Sequence, residues 1–455
     1  MSSAVNGSML PPGPPYPRPL QTLGWVTRPF ALLERCRDRY GDIFTLKIAT
    51  EPSWVFVSDP QAVKQVFTGD PRVLHAGEGN VVLLPVLGHH SVLLLDEHEH
   101  MAQRKLMLPS FHGERVSRYA DLMHEIAERQ IEHWPAGEPV AVWPGMQAIT
   151  LDIIIRAVFG VEEAESLERL RTALREMLSR AVSPVRMAML GVIGPRRIDR
   201  LQLLQAELRP VNRLLLEEIH TRREAPDLTE RDDVLSMLVQ ARHEDGRPMS
   251  DAELRDELMT LLVAGHETTA TALAWAVERL ARHPDKLDRL REEVIAGDDA
   301  YLDAVVKETL RLRPVLPIVA RRLTEPMEIG GHVLPAGVTV APCIHLVHRR
   351  PDVYPEPARF RPERFLEQPA GTYTWIPFGG GVRRCLGASF ALFEMKTVLA
   401  ALVRARDLRP GSAAPERVAR RGITLTPDRG GEVIFTRLDH SRPHPREREM
   451  IKEAA

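Results

Sequence analysis

The sequence predicts a mainly α fold with a small β portion, and three observations carry that prediction. Ser250-Asp251-Ala252-Glu253 is a capping box opening an apolar-periodic stretch that His283-Pro284 closes. That interval of roughly 32 residues, at ~1.5 Å each, makes a central helix about 48 Å long. From Ser58 to about Pro314 the pattern is mostly helical, and strand-like segments fall outside that region.

In chain order, Pro11, Pro12, Pro14, Pro15, Pro17 and Pro19 make residues 1–20 a stiff, extended entry segment. Residues 41–57 read as a strand pair, with β-branched and aromatic residues in IFTLKI and WVFV and Pro52 near the turn. Ser58-Asp59-Pro60 reads as a helix start with proline in the first turn. Pro- and Gly-rich connections at 71–91, 134–145 and 191–195 punctuate the helical region. Beyond Pro314, residues 327–341 read as a hairpin and 349–377 as a Pro- and aromatic-rich loop. A helix follows Gly387 to about Arg404, and 423–436 read as a second hairpin. Residues 438–455 form a charged tail expected to be disordered.

Composition removes several function classes. The 455 residues suggest about three domains at ~150 residues each. Sixty Lys and Arg against 62 Asp and Glu leave a net charge of −2, so nothing global favours nucleic-acid binding. Three cysteines, Cys36, Cys343 and Cys385, with no CxxC pair, argue against a disulfide framework and a structural zinc site, and fit a reducing cytoplasm. The first residues lack a basic region followed by an apolar core, so no secretory signal is expected. The best apolar stretch, 81–95, is broken by Pro85, Gly88, His89 and His90, so no transmembrane segment is expected.

Two segments break local rules together. Ala264-Gly265-His266-Glu267-Thr268-Thr269 puts a glycine, a glutamate and two threonines into the middle of the central helix. Glycine costs ~1 kcal/mol there, a buried glutamate needs a partner, and a threonine hydroxyl can bond the carbonyl four residues back. A site explains this cluster, and so does a close crossing by another helix. The second segment, Phe378-Gly379-Gly380-Gly381-Val382-Arg383-Arg384-Cys385-Leu386-Gly387, precedes a helix directly. Its glycines allow positive φ and close approach of a flat ligand. A thiol at a helix N-terminus is favoured as thiolate. With no second cysteine nearby, a large cofactor taking one axial thiolate, such as haem, is the better fit.

That loop resembles F-x-x-G-x-R-x-C-x-G, the haem-binding signature of the cytochrome P450 family, at every fixed position. Ala264 to Thr269 is similar to the family's oxygen-binding pattern. Glu308-Thr309-Leu310-Arg311 resembles its E-x-x-R, Phe360 to Phe365 its P-E-R-F segment, and His100 with Arg104 its H-x-x-x-R pair. The resemblance covers about residues 10–436. It implies the cytochrome P450 fold, a single domain over 21–437 with the long central helix over haem, in place of three domains. It implies haem b (heme b), with Cys385 the axial thiolate on iron and Phe378, Gly381, Arg383 and Gly387 shaping the cofactor loop. His100, Arg104, Arg321 and Arg383 are then candidates for the haem propionates. Arg322 rivals Arg321, and His98 rivals His100. Glu267 and Thr268 resemble the acid–alcohol pair that delivers protons during oxygen activation, with Gly265 leaving room for O2 and His266 at a variable position. Glu308, Arg311 and Arg364 resemble a structural triad. Cys36 and Cys343 are ordinary cysteines.

The activity implied is O2-dependent monooxygenation of a lipophilic small molecule, terpenoid, steroid or fatty-acid-like. Apolar pocket walls are expected at 71–92, 187–193, 315–319 and 423–425. No segment after the cysteine loop suits a flavin or nicotinamide, so electrons are expected from a ferredoxin or flavodoxin-like donor with its reductase. A peroxide-using hydroxylase, an isomerase on the same fold and a haem-thiolate ligand sensor are the alternatives. The intact Glu267-Thr268 pair argues against the first two.

Overall fold

The capping box forms as the sequence predicts, and the other helices are arranged around the one it starts. The computed structural model describes residues 10–48, 53–111, 118–160, 164–181 and 183–438. The Glu253 N–H donates to Ser250 Oγ (3.2 Å), and the Ser250 N–H donates to Glu253 Oε2 (2.7 Å). The helix runs unbroken over Asp251–Ala281, so Gly265 does not interrupt it. It packs along Val142–Phe159, the one helix among the described residues long and apolar enough to cross a membrane. That helix is 67% buried, and its apolar run is explained by the core. Helices Gln205–Glu224, Ala300–Leu312 and Ala388–Ala405 pack around this pair and share one continuous core with it.

The entry segment is anchored. The Thr45 N–H donates to Pro12 O (2.9 Å) and its hydroxyl to Pro11 O (2.7 Å), laying the segment along the strand Ile43–Lys47. Helix Arg18–Thr27 begins before residue 20, with Pro19 in its first turn, so the extended part is shorter than predicted. The tail from 439 onward and the turn at Pro52 lie outside the described residues.

Asp59 caps Pro60–Thr68, accepting from the Ala62 N–H (2.8 Å). The strand pair Ile43–Lys47 with Ser53–Val57 forms in antiparallel register, Phe44 opposite Phe56. It joins a five-stranded sheet through Thr339–Pro342, then Arg321–Leu323 and Leu74–His75.

Two hairpin readings need correction. Within 327–341, only Met327–Ile329 and His332–Leu334 pair with each other, because Thr339–Pro342 belongs to the larger sheet. In 423–436 the pairing is different throughout. Thr424–Pro427 pairs backward with Val418–Arg421, and Glu432–Arg437 pairs with Arg406–Pro410 and Pro139–Ala141. Gly430 and Gly431, both at positive φ (74° and 71°), turn the chain from one sheet to the other.

Candidate active site

The cysteine loop is built by glycine conformations. Gly379 and Gly381 take φ of 67° and 65°, where only glycine is unstrained. Cys385 is held by its N–H donating to Phe378 O (2.9 Å), and Gly387 caps the helix Ala388–Ala405. The close approach these glycines permit is to protein. A Cβ on Gly381 would sit 1.9 Å from Phe67 O, and one on Gly380 would sit 2.3 Å from the Phe67 ring. They therefore seat the loop on helix Pro60–Thr68, whereas a Cβ on Gly387 would meet nothing within 4 Å. The open side of the loop is at Gly387, not at the triple glycine.

The Cys385 thiol keeps accessible surface, yet burial pushes its pKa up, against the Gly387 N–H and the charges of Arg104 and Arg384. An open atom that is also desolvated faces an internal hollow rather than bulk water. Helix position alone predicts a lowered pKa, and here burial outweighs it. A bound cation would reverse the balance, since a metal deprotonates its thiol ligand outright. Cys36 and Cys343 are buried core thiols, pushed up to about 11 and about 12 by burial.

Around that hollow the fold gathers basic side chains from three segments. His100 is buried on helix Glu97–Met107, and its pKa falls to about 3 through burial and the nearby Arg383, Arg104 and Arg321. Burial, with Arg383 beside it, lowers Arg321 to about 10, and burial, with Arg104 beside it, lowers Arg383 to about 10. Arg104 in turn feels Cys385 and Arg384. One carboxylate, Asp96, stands against this group: it accepts from Arg383 Nη2 (2.5 Å) through Oδ1. A cluster this cationic and this buried suits a dianionic ligand.

The rivals differ in position. Arg321 is buried within the cluster, while Arg322 projects from the other face of the same strand. His98 is exposed near Glu244 (4.0 Å), away from His100.

On the central helix, the Thr268 hydroxyl donates to Ala264 O (2.7 Å), the bond expected from sequence. Ala264 is exposed, although the helix is buried along most of its length, so an open face lies along Ala264–Thr268. Glu267 turns elsewhere: it accepts from Gln147 Nε2 (3.3 Å) and Thr424 Oγ1 (3.4 Å), with Arg421 Nε at 3.7 Å. Burial still raises its pKa over the pull of Arg421. The side of Gly265 where a Cβ would stand faces the neighbouring helix. A Cβ there would press on Ile154 Cδ1 at 3.0 Å, so the glycine serves the helix crossing. His266 is buried, its ring lowered to about 4 mainly by burial, and no metal-binding cluster forms among the described residues.

The triad is complete. Arg311 donates Nε to Glu308 Oε2 (2.6 Å) and Nη2 to Glu308 Oε1 (2.9 Å), and Arg364 Nε donates to Oε1 (3.2 Å). Arg311 also donates to the carbonyls of His348 (2.8 Å), Pro357 (2.9 Å) and Arg359 (3.2 Å), tying down the loop that leads to Cys385. Of the predicted pocket walls, 315–319 and 423–425 meet directly, the Leu425 N–H donating to Val315 O (2.9 Å).

Sequence reasoning missed Asp96 and Phe67. Asp96 opens a helix, and an aspartate there reads as a cap. Its side chain makes no cap bond and accepts instead from Arg383 and from the Gly77 N–H (2.8 Å).

An open thiol in a desolvated hollow, ringed by buried cations under a long helix, defines a haem-thiolate protein. The cytochrome P450 family model matches residues 11–435, and the chain belongs to that family. It is 44% identical over 439 residues to the putative cytochrome P450 135B1 of Mycobacterium bovis, covering 95% of this chain and 92% of that one. It is 40% identical over 438 residues to the putative cytochrome P450 137 of Mycobacterium tuberculosis, covering 93% and 91%. The structure of retinoic acid-bound cyanobacterial CYP120A1 superposes with a TM-score of 0.80 at 25% identity, covering 95% of this chain and 100% of that one. The chain is a cytochrome P450 monooxygenase, an oxidoreductase that uses O2 and redox partners, with haem b held through a cysteine thiolate.

Proposed function

We propose that this enzyme inserts one atom of O2 into a lipophilic small molecule, terpenoid, steroid or fatty-acid-like, in the cytoplasm. Electrons come from a separate ferredoxin or flavodoxin-like protein and its reductase. The observation that carries the reading is the open Cys385 thiol inside a fold whose central helix opens along Ala264–Thr268. Haem b, when bound, supplies the iron that activates O2. Residues 21–437 act as one domain around it.

In this reading Cys385 donates electron density from sulfur, and Gly387 leaves the flat ligand its space. Arg104, Arg321, Arg383 and His100 neutralise and hydrogen-bond the two propionates, which relieves the mutual repulsion of the cluster. Phe378 and Gly381 fix the loop. Thr268 offers its hydroxyl on the open side of the helix. Glu267, kept protonated more readily than an exposed glutamate, passes protons inward, with Arg421 and Thr424 at its outer end. The lipophilic assignment rests on the apolar side chains of the expected walls, the buried Leu84, Leu87 and Val315 among them. It also rests on the structural relative that holds retinoic acid.

The test is reconstitution. The holoenzyme with NADPH alone should give no product, and adding a ferredoxin with its reductase should give turnover of compounds that displace water from the iron. Turnover on NADPH alone would overturn the separate electron donor. Product formed equally well from peroxide without reductase would favour the peroxide-using reading.

A further inference from the structure

Glu257 is fully buried on the central helix, seven residues before Ala264, and the mechanism above does not use it. Its Oε1 accepts from the Val92 N–H (2.8 Å), while Oε2 makes no hydrogen bond among the described residues. Burial drives its pKa well above the ordinary carboxylate value. Asp256 and Glu253 push the same way, against the Val92 N–H and the neighbouring Gln103. A neutral carboxylic acid is the form that survives in such a place.

Its neighbours come from the segments that carry the cation cluster. Val92 O accepts from Arg383 Nη1 (3.3 Å), and Leu95 O and Asp96 Oδ1 accept from Arg383 Nη2 (2.5 Å each). Gln103 lies on the helix of His100 and Arg104. The strap from Gly88 to Asp96 is thus held between the central helix on one side and Arg383 on the other. Two neighbours of Glu257 reinforce the first attachment. Asp256 Oδ2 accepts from the His90 N–H (2.9 Å), and the Thr260 hydroxyl meets Ser91 Oγ (2.7 Å). A Cβ on Gly88 would fall 2.3 Å from Asp256 Oδ1, so the strap sits as close to the helix as a backbone can.

We propose that Glu257 is a positioning residue for the cofactor: it fixes Val92, whose carbonyl orients Arg383 toward the ligand's carboxylates. The inference rests on the reading of Arg383 as a propionate-binding residue. Glu257 touches no reacting atom, and its effect passes through one backbone unit.

The test is the rate of haem loss from the holoenzyme to excess apomyoglobin, together with a double-mutant cycle. Glu257→Met keeps similar volume but removes the acceptor, and should speed haem loss about tenfold, since a buried N–H left unpaired costs about the equivalent. Glu257→Gln keeps a neutral acceptor and should retain haem as the parent does. In an Arg383→Ala background, Glu257→Met should add little, because the group it positions is gone. Additive effects would overturn the coupling and leave Glu257 a purely structural residue. Fast haem loss in Glu257→Gln would overturn the neutral-acid role. An Arg383→Ala variant that keeps haem normally would instead overturn the propionate reading, a distinguishable failure. Should Glu257→Met not fold, Thr260→Val loosens the same strap at Ser91. It should speed haem loss in the parent but not in Arg383→Ala, and equal effects in both would sink the proposal.

Discussion

Replacing Arg311 tests how the fold holds the cysteine loop. The side chain and Glu308 are both fully buried. Arg311 makes five hydrogen bonds, two to Glu308 and three to the carbonyls of His348, Pro357 and Arg359. Arg311→Ala removes all five. Glu308 keeps Arg364 Nε (3.2 Å) and the Arg361 N–H (2.7 Å), too little for a dry carboxylate that has lost a bidentate partner. Breaking such a pair costs ~3–5 kcal/mol, against a total stability of ~5–15 kcal/mol. Arg311→Lys is the sharper variant. It keeps the charge but brings three donors to one point, where the site needs a planar fork reaching four acceptor residues. It should forfeit roughly two of the five bonds and cost ~1–3 kcal/mol, at about 0.5–1.5 each. Urea unfolding followed by tryptophan fluorescence, with the haem-to-protein absorbance ratio, reads both effects. Haem-replete Arg311→Ala with its midpoint shifted by less than the equivalent of ~1 kcal/mol would refute the argument. The same protein with normal stability but no turnover would move Arg311 into catalysis.

Other outcomes follow from the site. Cys385→Ala should abolish the red-shifted Soret band of the reduced carbon monoxide complex, and its survival would mean another ligand holds the iron. Thr268→Ala should bind haem and substrate but divert reducing equivalents to peroxide, measured as peroxide released per NADPH consumed; unchanged coupling removes Thr268 from the mechanism. Glu394 is buried with its pKa driven well above the ordinary 4.5. The Thr269 hydroxyl opposes the burial, and neither carboxyl oxygen makes a hydrogen bond of ordinary geometry among the described residues. The folded state therefore holds that proton after the unfolded chain has released it, and stability falls as pH rises above about 4.5. Glu394→Gln should lessen the fall by about 1.4 kcal/mol per pH unit, in urea titrations at several pH values; parallel curves would show Glu394 ionised in the fold. Arg384 is exposed beside the thiol loop, so Arg384→Glu should slow reduction by an acidic ferredoxin in stopped flow without altering substrate affinity. A rate indifferent to both salt and the reversal would remove it from the docking face.

What was legible in the sequence was local. The capping box at Ser250, the Asp59 cap and the spacing around Cys385 each depend on residues a few positions apart, and each forms as read. Glycine was half legible: positive φ at Gly379 and Gly381 could be expected, but what a missing Cβ faces is a tertiary fact. Gly381 faces Phe67 and Gly265 faces Ile154, and neither neighbour is marked in the surrounding sequence. Strands at 423–436 were legible as strands, but their partners were not, because alternation sets a strand's faces without naming its neighbour. Asp96 was hidden by an adequate local explanation, since helix starts favour aspartate. The helix of His100 and Arg104, the strand of Arg321 and the loop of Arg383 are far apart in sequence, and only the family resemblance joined them before the fold did.

Two buried acids on one helix show why burial alone does not assign a role. Glu257 and Glu267 are ten residues apart, and burial raises both. Glu267 keeps 13% of its side chain accessible and has Arg421, itself 36% accessible, at 3.7 Å. Glu267 is therefore not sealed from water, which suits the relay proposed for it. Glu257 is fully buried, and it accepts from the backbone of the strap that Arg383 grips from the other side. Ionising Glu257 would place a charge in a fully buried site beside the carboxylates of Asp256 and Glu253. The same chemical group is thus suited to the transfer proposed at one position and the placement proposed at the other. The difference is set by what lies on its far side: a half-buried arginine for Glu267, and packed core for Glu257.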